Sequence, residues 1–277
     1  MPMRKPIWNR PRRNFRGRSA GAAHPTRPGR SKRGSLGASD GPVILYGWHT
    51  VKAALENPAR NIRRLCATDN AARRLVEDGV PRRGDVEIVR PDAIAARVGP
   101  EAVHQGLLLE TDPLPAPKIE EIAPRGIVLV LDHITDPHNV GAILRSAAAF
   151  AAGALVTTAR HSPEATGVLA KSASGALEFV PMVAVQNLAR GLSALKERGF
   201  LLVGLDSSGA SDLATTSLSE PLALVLGAEG KGLRQLTRET CDVVARLDLP
   251  GAIKSLNVSN AAALALYIAT SRLSSAG

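Results

Sequence analysis

A chain of 277 residues, 44% apolar and 22% charged, is long enough for one large or two ordinary domains, and with only 3% aromatics its core must be built from Ala, Leu and Val. The net charge of +10 is confined to one end: residues 1–40 hold 11 Lys or Arg and a single acid, Asp40, whereas the remaining 237 hold 24 basic and 24 acidic side chains. Two isolated cysteines, Cys66 and Cys241, exclude a disulfide framework or a cysteine-built metal centre, and the lack of an uncharged apolar run of about 18 residues or a signal-peptide pattern points to a soluble cytoplasmic protein with no membrane segment.

Residues 1–40 are rich in Arg, Pro, Gly and Ser, with Trp8 and Phe15 among the arginines and no apolar period, so a disordered basic tail is expected. Arginines pair with phosphates and aromatics stack on unpaired bases, which makes RNA contact its expected role; a solubilising extension or a transit peptide are the other readings. Pro2, Pro6 and Pro11 oppose the amphipathic helix of a transit peptide. A folded unit follows over 41–112: strand VILYG, helix WHTVKAALE, then IRRLCAT, NAARRLVEDG, VEIVR and PDAIAARV, closing on the strand HQGLLLETD. The arginine pairs at 63/64, 73/74 and 82/83 suggest a basic face, yet acids stand near enough to make a solvated, paired face the simpler reading.

PLPAPKIEEIAPR, 113–125, reads as a proline-rich linker, and a second domain spans 126–277. Its strands GIVLVLD, GALVTTA, LEFVPM, FLLVGLD, LALVLG and VVARLDL alternate with helical segments near 139–151, 164–174, 186–198 and 257–272. Continuous apolar strands alternating with helices predict an α/β fold whose parallel sheet is covered on both faces. In the helix after Asn139, Val140, Ile143, Leu144, Ala147 and Ala148 form a buried stripe, and Arg145 is the one charged residue between Asp136 and Arg160. Such an arginine is either ion-paired or faces a ligand.

Two turns carry the remaining chemistry. Gly227, Gly230 and Gly232 let backbone and ligand approach closely, but their order is neither a dinucleotide nor a phosphate loop, and Glu229 at the centre disfavours a pyrophosphate. A ligand without phosphates, or a cationic one, fits better. The second turn, LPGAIKSLN, sets Ser255 and Asn257 at the mouth of a helix with no charge from Ser255 to Ser271, expected to be buried nearly all round; capping and a functional role are both open to the two residues.

Taken in order, Asn139–Arg145 (NVGAILR), Gly227–Gly232 (GAEGKG) and Leu249–Asn260 (LPGAIKSLNVSN) resemble the three motifs of the SpoU/TrmH family of ribose 2'-O-methyltransferases, in the SPOUT class, over about residues 126–272. LYGWHTVKAALE with VHQGLLLE resembles the N-terminal, ribosomal-protein-like substrate-binding domain of the family's 23S rRNA guanosine methyltransferases. The resemblance implies a deep trefoil knot in the C-terminal domain, S-adenosylmethionine as methyl donor, an RNA substrate, a homodimer and no metal. It implies Arg145 as the family's proposed general base, held by Asn139 and Ser255, with Glu229 bonding substrate or motif residues and Asn257 fixing the last turn. Cofactor contacts are implied at Gly227, Leu247 and Leu256. Because a guanidinium stays protonated, orienting the hydroxyl, contacting the phosphate and stabilising developing negative charge are the roles Arg145 can fill.

His133 and His138 flank the first motif without metal-ligand spacing and are expected to serve local hydrogen bonds. A guanosine of large-subunit rRNA is the favoured acceptor and a tRNA ribose the runner-up. A nicotinamide oxidoreductase would share the strand–helix alternation but not the loop, and a noncatalytic RNA-binding protein would have no reason to carry all three motifs.

Overall fold

The computed structural model describes residues 41–160 and 167–275; the basic segment 1–40, with the disorder expected of it, lies outside the described residues. From residue 41 onward the chain belongs to one compact unit containing two sheets. The first sheet is built from β1 (Val43–Tyr46), β2 (Ile62–Ala67), β3 (Val86–Ile88) and β4 (Leu107–Thr111), in the order β1-β4-β2-β3. Helices α1 (Trp48–Glu56), α2 (Asp69–Glu77) and α3 (Pro91–Val98) connect them. Side chains alternate across a strand, so Leu107 and Leu109 join Leu45, Leu65, Val51 and Leu55 on one face while Leu108 meets Cys66 and Ile94 on the other. The arginines of this region are largely engaged: Arg63 with Asp112, Arg64 with Glu87 and Glu110, Arg97 with Glu110, and Arg83 with main-chain carbonyls.

The second sheet comprises β5 (Ile127–Asp132), β6 (Ala154–Thr158), β7 (Met182–Val185), β8 (Leu201–Leu205), β9 (Ser211–Asp212), β10 (Leu222–Gly227) and β11 (Val243–Arg246). Their order is β7-β6-β5-β10-β8-β11-β9 and every neighbouring pair is parallel. Helices α4 (Pro137–Ala149), α5 (Gly167–Ala173) and α8 (Val258–Ser275) cover one face, where Ile127, Leu129 and Leu131 pack against Val140, Ile143, Leu144 and Leu266. On the other face Val128 and Val130 meet Leu188, Leu192 and Leu195 of α6 (Leu188–Glu197), beside which lies the short α7 (Gln235–Thr240). Each fully buried Leu or Val of these stripes contributes about 1.5–3 kcal/mol.

Three expectations change. The strand expected over LEFVPM is a 3-10 turn at Ala176–Glu178 followed by β7 from Met182, because Gly175 at φ 90° opens a turn and Glu178 is drawn away from the sheet. The helix expected to be buried nearly all round is buried along one stripe, Val258, Ala262, Ala265, Leu266 and Ala269, while Tyr267 is 60% exposed, since only one side of α8 has the sheet and α4 to pack on. The segment 113–125 is docked: Ile119 and Ile122 are buried beneath α6, and Arg198 donates to both of their carbonyls.

Arg60 (4% exposed) and Glu178 (2%) form an ion pair where the two sheets' layers meet. Arg60 Nη2 lies 2.8 Å from Glu178 Oε1, Asn57 Nδ2 donates to Oε2 at 2.7 Å, and Arg60 Nη1 donates to the Asp112 carbonyl at 3.0 Å. Nearby, a Cβ on Gly167 would overlap the Tyr46 ring, so this close approach requires glycine. Among the described residues no helix is long and apolar enough to cross a membrane.

Candidate active site

The sheet changes direction at β5 and β10: the chain runs outward through β6 and β7, then returns to the other side of β5. Ligands of parallel sheets sit beyond the carboxyl ends of strands at such a point. Gly227 ends β10, paired in register with Asp132 at the end of β5. The turn that follows folds back on itself, Gly232 N donating to Ala228 O at 2.9 Å, with Gly230 and Gly232 at φ 73° and 63°. A Cβ on Gly227 would run into the Gly232 carbonyl, so the turn closes only on glycine.

At the tip of this turn, Glu229 gathers the three motifs. Its Oε1 accepts from Asn257 Nδ2 at 2.7 Å, from the Val258 main-chain N–H at 3.1 Å and from Asn139 Nδ2 at 3.4 Å. Asn257 Nδ2 also donates to Asn139 Oδ1 at 3.1 Å. The Glu229 carboxylate thus stands at the N-terminus of α8, where the helix dipole favours an anion. Asn257 caps the same helix, its Oδ1 accepting from Ser259 N at 2.9 Å and Ser259 Oγ at 2.6 Å, so the capping role and the junction role coincide in one side chain.

Ser255 is exposed and makes no side-chain hydrogen bond among the described residues, and the Asn139 amide is turned to Glu229 and Asn257. Arg145 lies six residues along α4 from Asn139, about 9 Å of helix rise. It is exposed beside the buried Leu144, and among the described residues it has no hydrogen-bonding or ion-pair partner. Of the two roles open to it in the sequence, no ion pair is found there. His138 Nδ1 lies 3.2 Å from Ser172 Oγ, a local contact to α5.

Two carboxylates that the sequence reading passed over hold the glycine turn from below. Asp132, buried at the end of β5, accepts from Arg234 N at 3.0 Å and Arg234 Nε at 2.6 Å. Asp206, at the end of β8, accepts from Leu233 N at 3.1 Å and pairs with Arg238 at 2.6 Å. Burial raises the Asp206 carboxyl, but hydrogen bonds from Ser208, Leu233 and Arg238 outweigh it and hold the group below the usual carboxylate range. The available signal was positional: each is the acid closing an apolar strand. Cys241 has its thiol pushed up to about 12 by burial and then by Asp242 and Asp132, which leaves it protonated and no nucleophile.

Beyond β11 the second turn lies open. Leu247 packs half-buried on the core, Lys254 Nζ donates to Leu249 O at 2.7 Å, and Gly251 to Asn257 are all exposed, Ile253 at 77% and Leu256 at 39%. Gly227, Leu247 and Leu256 thus mark the ends of β10 and β11 and the loop between β11 and α8.

Residues 126–267 match the SpoU rRNA Methylase family, and 44–117 match the family described as RNA 2'-O ribose methyltransferase substrate binding. The chain is 36% identical over 232 residues to the 23S rRNA (guanosine-2'-O-)-methyltransferase RlmB of Pseudomonas putida, covering 80% of this chain and 94% of that one. It is 38% identical to the RlmB of Vibrio cholerae over 81% of this chain and 94% of that one. In fold it is similar to the SpoU methyltransferase AviRb from Streptomyces viridochromogenes, TM-score 0.73 at 25% identity, covering 86% and 91% of the two chains. The same enzyme solved in complex with AdoMet gives a TM-score of 0.71 at 25% identity over 84% and 91%.

The open turns suit S-adenosylmethionine, a nucleoside without phosphates whose sulfonium is cationic: Ile253 and Leu256 offer exposed apolar cover, and the carboxylate nearest the mouth, Glu229, does not oppose a positive charge. With its motifs joined at Glu229, both family matches and curated relatives matched over most of their length, this chain belongs to the SpoU rRNA methylase family.

Proposed function

We propose that this protein transfers a methyl group from S-adenosylmethionine to the ribose 2'-hydroxyl of a guanosine in 23S rRNA. The observation that carries this reading is the meeting of Asn139, Glu229 and Asn257 in one hydrogen-bonded junction at the end of β10, with the Arg145 guanidinium, which has no partner among the described residues, on α4, the helix that also carries Asn139. S-adenosylmethionine, when bound, supplies a methyl carbon on an excellent leaving group, so the protein's task is alignment of the acceptor and relief of its developing charge. Gly227, Leu247 and Leu256 hold the adenosine, the closed glycine turn fixing the end of β10 against it. Glu229 and Asn257 lock the loop to α8, and Asn139 ties that lock to α4. Arg145, always protonated, orients the 2'-hydroxyl and the adjacent phosphate and stabilises negative charge as the hydroxyl proton leaves. Mapping of 2'-O-methyl positions in rRNA from a deletion strain tests the assignment: one 23S guanosine loses its methyl, and an unchanged map contradicts it.

Glu229→Ala removes the acceptor shared by Asn257 Nδ2 and Val258 N. Cofactor affinity and turnover should fall together by about tenfold or more, roughly 1.4 kcal/mol. Calorimetric titration with S-adenosylmethionine reads the effect, and an unaltered affinity would remove Glu229 from the site.

The remaining assignments extend this reading. Residues 41–112 serve as the RNA substrate-binding domain and 126–277 as the methyltransferase domain, in a cytoplasmic enzyme. A trefoil knot in the latter is supported by strand order, since β10 enters between β5 and β8, and β11 between β8 and β9, all laid down earlier in the chain. A homodimer through the methyltransferase domain is supported by the uncharged outer side of α8, where Tyr267 is exposed beside half-buried Leu264 and Ile268. Light scattering at micromolar concentration should give twice the chain mass; a monomer contradicts it. The arginines of residues 1–40 contact RNA phosphates, so deleting them should weaken RNA binding and flatten its salt dependence without moving the modified site. Equal slopes for full-length and truncated protein would assign the segment another role.

A further inference from the structure

We propose that a shallow cavity in the first sheet's layer takes one unpaired base of the RNA, a contact separate from the nucleotide that is methylated. The inference rests on the RNA-methyltransferase reading and adds to it a recognition site. The cavity, of about 270 Å³, is lined by Trp48, Thr68, Asn70, Arg74, His104 and Gln105, and none of its lining residues is an acid. That volume lies just below the usual range of ligand pockets and suits one planar group rather than a whole nucleotide.

Its chemistry is that of a base site. The Arg74 guanidinium lies over the Trp48 ring, 3.8 Å from the centroid. Trp48 itself is buried, whereas Arg74 is exposed, so the guanidinium is the outer layer of a two-layer stack. Most arginines around it are committed to carboxylates or carbonyls: Arg60, Arg63, Arg64, Arg97 and Arg83. The Arg74 side chain has no hydrogen bond or ion pair among the described residues. A guanidinium held over an aromatic ring and free of carboxylates is a platform on which an unstacked base can lie.

The rim supplies edge contacts. His104 Nδ1 accepts the Gly106 N–H at 3.1 Å, which in the neutral ring places the proton on Nε2 as a donor. Asn70 accepts from Arg73 through Oδ1, leaving its amide hydrogens as donors. Gln105, at φ 54°, has its Oε1 occupied by Trp48 N at 2.9 Å and Lys171 Nζ at 3.0 Å. This side chain fixes the wall of the cavity to α5, the helix that also meets His138 through Ser172.

The test uses full-length protein, an rRNA fragment that the wild type methylates, and a set of fragments each carrying one abasic nucleotide outside the methylated position. Arg74→Ala should weaken binding of the intact fragment by about tenfold or more, the scale of one lost base stack. Arg74→Lys, which keeps the charge but not the plane, should not restore it. One abasic position should cost the wild type a similar factor and cost Arg74→Ala nothing further. With Trp8→Phe leaving Trp48 as the sole tryptophan, its emission should change on adding the intact fragment and stay constant on adding S-adenosylmethionine alone.

Full rescue by Arg74→Lys would make Arg74 a phosphate contact and overturn the base site, as would abasic positions that all cost the variant as much as the wild type. A Trp48 response to the cofactor alone would assign the cavity to a free nucleoside and overturn it too. Cofactor titration and thermal unfolding of the variants separate misfolding from lost contact. Methylation of the fragment by the wild type keeps the enzymatic reading standing even where the cavity fails.

Discussion

Arg145→Ala should all but abolish methyl transfer while S-adenosylmethionine binding stays close to wild type. The side chain stands exposed on α4 with no partner among the described residues, so its removal leaves no buried group unsatisfied and the fold intact. It is also outside the junction of Asn139, Glu229 and Asn257, which organises the turns assigned to the adenosine. In the role proposed for it, Arg145 supplies a permanent positive charge at the acceptor, and removal of one such preorganised group typically costs 10²–10³ in turnover, roughly 2.7–4 kcal/mol. Arg145→Lys should recover only part, because an ammonium keeps the charge and loses the fork. Retention of more than about a tenth of wild-type turnover by the alanine variant, roughly 1.4 kcal/mol of barrier, would contradict a catalytic role.

Glu178→Ala should be the most destabilising single change in the described chain that touches none of the site. Arg60 is 4% exposed and directs Nε and Nη2 to this carboxylate, so the variant strands a buried guanidinium. Breaking a buried pair in this way costs about 3–5 kcal/mol, on the order of 10 °C in Tm for a chain of this size. Pairing Glu178→Leu with Arg60→Met should recover most of the loss, since the penalty comes from the unpaired charge rather than from the absent bond. Thermal unfolding of the single and double variants reads both effects. A single variant within about 1 kcal/mol of wild type would show that solvent reaches the pair.

How much of this was legible in sequence depends on the range over which each feature is encoded. The strands GIVLVLD, FLLVGLD and LALVLG are continuous apolar runs, buried on both faces, and each is found as a strand. WHTVKAALE and PDAIAARV appear as helices over the same residues. LEFVPM failed because its one charged residue, Glu178, is pulled toward Arg60, 118 residues away, and the strand begins only after Pro181. The open half of α8 was invisible because an uncharged helix looks the same whether its second side is buried or left outside. At the site, the motif residues could be named one by one, but spacing could not show that a single oxygen of Glu229 receives Asn139, 90 residues away, and Asn257. Asp132 and Asp206 escaped notice because an acid closing a strand is ordinary until its partner, 102 residues away for Asp132, is known.

Methyl transfer to a ribose 2'-oxygen is assigned to the site around the α4–β10–α8 junction. Its most direct measurement incubates the purified protein with labelled S-adenosylmethionine and 23S rRNA lacking its own 2'-O-methyl groups, then digests the RNA and identifies the labelled nucleotide. Label is expected on the ribose of one guanosine in wild-type reactions and not with Arg145→Ala. Label on a base, or equal ribose labelling by wild type and Arg145→Ala, would contradict this assignment.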